Sequence, residues 1–209
     1  MSRWKNVLTD ADQIRELMGE PRKAQLTKVL PRLDEHCRTW IERCPFIVLC
    51  SAGMDGRLDA SPKGDPAGFV KILDDRTLAI PDRPGNRRAD TFQNILNNPQ
   101  IAAIFLMPGR GETLRVTGKA TIVLDEELME QMVVNRRAPK AAIVVDIEEV
   151  MFHCGKSMIR SKLWQPEHWP SIDGLASYAQ FIADQAETDE SVTQMEERFG
   201  TWKQGNELY

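Results

Sequence analysis

The sequence predicts a mainly β fold of the α+β kind: a small antiparallel barrel, closed or partly open, with helices flanking it at both ends. Three observations carry this. Six or seven strand-like segments follow one another between residues 46 and 153. Hairpin-type turn signals separate most of them, whereas a parallel sheet needs a crossover helix after nearly every strand. Helical periodicity instead gathers before residue 45 and after residue 164, with only short pieces between strands.

Residues 10 to 44 read as helical. Asp10 or Asp12 caps a helix carrying Ile14, Leu17 and Met18. After the Gly19-Glu20-Pro21 break, Leu26, Val29, Leu30 and Leu33 recur at helical spacing, then Cys37, Trp40 and Ile41. Pro31 divides this stretch into two helices and Pro45 ends it, since proline removes a donor and clashes with the preceding turn.

From Phe46 the period becomes that of a strand. "FIVLCSA" is apolar and β-branched and turns through "GMDG" into "RLDASPKG"; "GFVKIL", "DDRT" and "TLAIP" give a second hairpin. A short helix follows, with Phe92, Ile95 and Leu96 on one face and Asp90 with Gln93 forming a capping box. "QIAAIFLM" is a buried strand and "PGRG" a turn. The long strand "ETLRVTGKATIVL" then sets Leu114, Val116, Gly118, Ala120, Ile122 and Leu124 on one face. Thr113, Arg115, Thr117 and Lys119 take the other face. A short acidic helix, "DEELMEQMV", leads to the strand "KAAIVVDIEEVMFH". Beyond Trp164, "SIDGLASYAQFIADQAE" places Leu175, Tyr178, Ala179 and Ile182 on one helical face, and a polar, acidic tail follows.

The 209 residues suffice for one sizeable core, and the composition is that of a soluble globular protein: 42% hydrophobic, 28% charged, mean hydropathy -0.40. A net charge of -4 argues against nucleic acid as the partner and makes any local basic cluster a candidate for a small anion. No apolar run approaches the ~20 residues of a membrane span. Cys37, Cys44, Cys50 and Cys154 form no Cys-x-x-Cys pair and the three His are scattered, so no metal site is expected. Free thiols without a signal peptide fit the cytoplasm.

Three stretches carry charge in suggestive places. In "IPDRPGNRRADTF" a proline-glycine turn brings Arg83, Asn86, Arg87 and Arg88 to the mouth of a helix. With Asp90 capping that helix, Arg87 and Arg88 are the groups that would hold a phosphate, through bidentate charge-assisted bonds. A solvated basic turn pairing with carboxylates is the equal alternative. In "RLDASPKGDPAGF", Asp59, Ser61 and Lys63 share a strand face, where a hydroxyl and an ammonium suit phosphate or polyol oxygens; taken alone it reads better as a hairpin rim. In "FHCGKSMIRSKLW", Lys156, Arg160 and Lys162 surround Trp164, which suits a planar ring or simply a basic turn. His153 and Cys154 are neighbours on a strand, point to opposite faces and make a poor dyad. No Rossmann, P-loop, zincin or hydrolase signature occurs.

Taken together, "DASPKGDP", "IPDRPGNRR", "NILNNP", "ETLRVTGKA" and "CGKSMIRSKLW" resemble the pyridoxamine 5'-phosphate oxidase-like family of FMN-binding split barrels, in its branch of FMN-dependent enzymes of unassigned substrate. The likeness runs from about Phe46 to Trp164. It implies a six-stranded split barrel forming a homodimer, with FMN between the subunits. By the same resemblance Ser61 and Lys63 line the ribityl-phosphate side, and Arg87, Arg88 and Asn86 bind the phosphate. Glu112, Thr113 and Arg115, with the Arg160 to Trp164 segment, approach the flavin from the partner subunit. The oxidases of the family carry a late Arg-Leu-His-Asp-Arg stretch; here the region reads "MIRSKLW", without histidine, so the likeness extends to FMN binding and not to vitamin B6 oxidation.

The chain is thus read as one domain: an N-terminal helical extension (1–45), the FMN-binding split barrel (46–164) and a C-terminal helical tail (165–209). The expected function is that of an FMN-dependent oxidoreductase acting on an unidentified small molecule, with no catalytic side chain named because the flavin carries the chemistry. The alternatives are a flavin carrier or sensor without turnover, and an interaction protein whose basic turns make salt bridges.

Overall fold

The computed structural model describes residues 3–203 and 208. Its seven strands are β1 (Phe46–Ala52), β2 (Leu58–Gly64), β3 (Lys71–Ile72), β4 (Thr77–Pro81), β5 (Gln100–Leu106), β6 (Thr113–Val123) and β7 (Ala142–His153). They form one antiparallel sheet in the order β2-β1-β5-β6-β7-β4-β3. With its flanking helices this is the split-barrel arrangement the sequence predicts; the strand beyond six is the two-residue β3.

Alternation builds the core. Ile47 and Leu49 in β1, Phe105 in β5, Leu114 and Val116 in β6 and Val150 in β7 are buried to within 1%, while the residues between them face outward. The face predicted for β6 holds as far as Ala120, Ile122 is half-buried, and Leu124 lies past the strand end, 72% exposed. A bulge shifts the β6–β7 register between Thr117 and Gly118, leaving Glu148 as the extra residue. Only glycine fits there, since a Cβ on Gly118 would run into the Asp146 carbonyl.

The N-terminal extension holds α1 (Ala11–Met18), α2 (Lys23–Thr27) and α3 (Glu35–Arg43). Asp10 caps α1 as expected, accepting from the N–H groups of Asp12 and Gln13. The helical reading of Leu26 to Leu33 is corrected: α2 stops at Thr27, and Leu30 exchanges two 2.9 Å backbone bonds with Val150 of β7. That pairing withdraws both Leu30 backbone groups from any helix. β4 covers β7 only from Ala142 to Asp146, so Leu30 fills the ladder where β4 has ended. Leu33, Cys37, Ile41 and Cys44 then enter the main core, and Trp40 packs edge-on against Phe152 at 5.2 Å. Burial pushes the Cys37 thiol up to about 12.

The helix after β4 is α4 (Asp90–Asn97), which buries Thr91 and Ile95. Its expected capping box is absent. The N-cap is Ala89 in a left-handed conformation (φ 57°) with no side-chain cap, because Arg88 takes the Asp90 carboxylate and turns it away from the helix mouth. The acidic connection forms only the short α5 (Glu126–Glu130) before a tight turn at Val134–Arg137 that the sequence reading missed.

After α6 (Lys156–Ser161) the chain reaches α7 (Tyr178–Gln185) and α8 (Val192–Lys203). The acidic tail carries α8. On α7, Ala179 is buried and Tyr178 is exposed; Leu175, expected on the same helical face, lies ahead of the helix and is exposed. α7 and α8 pack through Ala179, Met195 and a Tyr178–Phe199–Trp202 ring cluster, and none of these residues belongs to the barrel cores.

Candidate cofactor site

Ser61 lies opposite Leu49 and Lys63 opposite Ile47 in the β1–β2 ladder, so both side chains share the core face of the sheet at its β2 edge. Three contacts stitch that edge to the segment leading into α4. Thr91 Oγ1 donates to Asp59 Oδ2 at 2.6 Å, Lys63 Nζ lies 3.9 Å from Asp82 Oδ1, and Arg83 Nε donates to Asp65 Oδ2 at 2.6 Å. Two stretches singled out separately in the sequence thus meet. Arg83 is structural: its side chain and that of Asp65 are largely buried, and it also donates to the Met132 carbonyl at 2.7 Å.

The remaining groups differ in readiness. Arg87 is exposed and held left-handed at φ 61°; among the described residues no ion pair or hydrogen bond engages its guanidinium. Arg88 is engaged by Asp90, with Nε–Oδ2 at 2.7 Å and Nη2–Oδ1 at 3.4 Å. Its bond holds the Asp90 carboxyl below the usual carboxylate range. Asn86 accepts the Arg88 backbone N–H through Oδ1 at 3.0 Å, which leaves its amide nitrogen as a donor. Lys63 is mostly buried, and the half-buried Ser61 hydroxyl has no partner among the described residues. Burial pushes the Asp82 carboxyl up, and Lys63 partly offsets this.

The other predicted residues stand elsewhere. Leu114 continues the core-face row Lys63–Ile47–Phe105 across the ladders, so its neighbours Thr113 and Arg115 face the opposite side of the sheet. Arg115 Nη2 approaches Glu149 and the Met151 sulfur, each at 3.5 Å. Glu112 is taken by Arg110 at 3.1 Å; its own backbone N–H and then Arg110 lower its carboxyl. Trp164 Nε1 donates to the Arg110 carbonyl at 2.7 Å, and Gly111 and Gly155 are in backbone contact beside it. Arg160 is exposed on α6. Within one chain, then, Glu112, Thr113, Arg115 and Trp164 gather at one place and Ser61, Lys63, Asn86, Arg87 and Arg88 at another.

His153, a poor dyad partner for Cys154, stands directly opposite Thr113. Burial holds its imidazole below the ordinary value, with Arg115 and Lys28 adding to the effect. Lys28 arrives from the N-terminal extension and donates to the Phe152 carbonyl at 2.6 Å. Both placements depend on long-range register, which no local pattern prints.

The first cluster fits an anionic phosphate by the chemistry of its donors: an unengaged guanidinium, a second one held only by a neighbouring carboxylate, a mostly buried ammonium, a hydroxyl and an amide. Among the described residues no group of His, Cys, Asp and Glu could hold a metal, and no helix is long and apolar enough to cross a membrane.

Fold and donor set define a split-barrel protein whose edge strand and adjoining loop carry a cluster of cationic and hydrogen-bond-donating side chains. The chain belongs to the pyridoxamine 5'-phosphate oxidase family, whose model matches residues 33–154. The match takes in α3 and stops short of α6, so Arg160 and Trp164 lie beyond it. No curated protein matches the chain. Among solved structures, HupZ of Group A Streptococcus is similar at 19% identity and a TM-score of 0.46, over 56% of this chain and 91% of that one. A FAD-binding protein of Mesorhizobium loti is similar at 17% and 0.42, over 59% and 96%. An F420 reductase is similar at 19% and 0.41, over 58% and 98%.

Proposed function

We propose that this protein is an FMN-dependent oxidoreductase acting on a small molecule, working as a homodimer with FMN between the subunits. The observation that supports this best is the convergence of Ser61 and Lys63 on β2 with Asn86, Arg87 and Arg88 on the next rim, in a member of this family. In this reading Arg87 binds the phosphate outright and Arg88 joins it by releasing Asp90, with the Asn86 amide as a further donor. Ser61 and Lys63 hold the ribityl-phosphate side.

Glu112, Thr113, Arg115, Arg160 and Trp164 reach the ring from the second copy. That role accounts for the opposite sheet faces of Arg115 and Lys63. The outer face between them carries half-buried Val48, Cys50, Ala102 and Ile104, an apolar surface suited to a subunit contact. FMN, when bound, supplies the two-electron chemistry. The chain's own groups orient it and set the charge around it. The four free thiols support a cytoplasmic setting.

The experiment is reconstitution with FMN followed by anaerobic addition of NADH or NADPH. Bleaching of the bound flavin, restored by an acceptor, is expected; protein that takes up no FMN would refute the reading. Flavin that binds but is never reduced would make the protein a carrier.

A further inference from the structure

The chain carries its charge unevenly. Residues 165–209 hold nine acidic and two basic residues, while residues 1–164 hold 22 acidic and 25 basic ones. The acidic segment also closes on itself. α7 and α8 meet through Ala179 and Met195, Ser177 Oγ donates to Glu196 Oε1 at 2.9 Å, and Arg198 pairs with Glu190 at 2.7 Å. This arm leaves an apolar and acidic face uncovered. On α7, Tyr178 and Phe181 are exposed at helical spacing with Asp184, and exposed Glu187 follows just past the helix end. Among the described residues neither Asp184 nor Glu187 has an ion pair.

A matching surface is open on the N-terminal extension. α1 buries no residue, and its Leu17 and Met18 are exposed. Beside them a cleft of about 470 Å³ runs between the α1–α2 turn and the start of α6. Arg15, Arg22 and Lys156 line it with a single carboxylate, Glu20. Among the described residues none of the three cations has an ion pair. The cleft is thus apolar and cationic where the arm is apolar and anionic, and one chain leaves both uncovered. Exposed apolar patches rimmed by polar groups mark contact surfaces, and opposite potentials decide which surfaces meet.

We propose that the acidic α7–α8 arm of one subunit docks on the α1–α6 cleft of a second copy of this chain. Tyr178 and Phe181 then cover Leu17 and Met18, and the arm carboxylates face Arg15, Arg22 and Lys156. Trp164, tied to the Arg110 carbonyl, launches the arm from the segment assigned above to the partner's flavin. The inference rests on that reading for the direction the arm takes. A twofold axis makes the contact twice, each subunit giving an arm and receiving one. α1 and the α7–α8 arm, neither of which enters the barrel cores, thereby cover each other across the dimer.

The test is a zero-length carbodiimide cross-link on the full chain, which joins carboxylates to lysine amines. Isotope-labelled and unlabelled protein are mixed until native mass spectrometry shows subunit exchange, then cross-linked and digested. Peptide pairs that join Asp184 or Glu187 to Lys156 and draw on one chain of each kind are expected. Pairs drawn only from single chains, as a lid folded on its own barrel would give, overturn the proposal, and so does an absence of arm-to-Lys156 pairs. In ultracentrifugation at low salt, D184K/E187K should weaken self-association about tenfold. Adding K156E should recover part of that loss, which a folding defect would not allow; no loss, or a loss without recovery, counts against the docking. Titration of the same protein with FMN keeps the two readings apart. Inter-chain cross-links in a protein that takes up no FMN would condemn the flavin reading alone, and FMN uptake without them would condemn the docking alone.

Discussion

Arg88 is clasped by Asp90 while its neighbour Arg87 projects unengaged from a left-handed backbone, so the two arginines of the pair are not equivalent. R87A should weaken FMN about tenfold to a hundredfold, the effect of one lost charge-assisted bond worth ~1.5–3 kcal/mol. R88A should cost less, because that guanidinium must first leave Asp90. Fluorescence titration of the two single variants checks the order, and equal losses would refute the inequality.

Asp82 competes with a ligand for Lys63. Burial raises its carboxyl, so its ionisation opposes folding once the pH exceeds the unfolded value near 3.8. D82N removes that opposition and frees the ammonium. At pH 7 the variant should hold FMN more tightly than wild type with no loss of denaturation midpoint. Weaker FMN binding by D82N would place the ligand away from Lys63.

His153 gives a pH dependence of the other sign. Its imidazole is harder to protonate in the fold than in the unfolded chain, chiefly through burial. Its contribution is complete above the unfolded value of about 6.5 and is lost as the pH falls from there toward the lower folded value. Urea midpoints between pH 8 and 5 should decline in wild type and decline less in H153Q. The groups facing this imidazole are Thr113 across the ladder, Arg115 and Lys28.

Gly118 is fixed by the bulge. G118A forces the β6–β7 pair apart at the Asp146 carbonyl and should destabilise the protein by about 1–3 kcal/mol, as overpacking does. A denaturation midpoint unchanged from wild type would show that the bulge relaxes freely.

The barrel was legible because its signals are local. The apolar, β-branched run of β1, the alternation in β6 and the hairpin turns are each read within a few residues. What failed depended on distant partners. Leu30 has helical spacing in sequence, but Val150, far along the chain, claims its backbone. Asp90 has the spacing of a capping box, but Arg88 outbids the helix for its carboxylate. The candidate site was legible as residue types, not as geometry: nothing in "SPKG" or "GNRR" says that Lys63 meets Asp82. The tight turn at Val134–Arg137 is not legible either, because the sign of φ is invisible in composition.

The most direct measurement is an equilibrium titration of the purified protein with FMN, run beside R87A/R88A with the fold checked by circular dichroism. Saturable uptake of one FMN per subunit, abolished in the folded double variant, is the predicted result. A wild-type protein that ignores FMN, or a double variant that retains it undiminished, would contradict the assignment of the arginine pair.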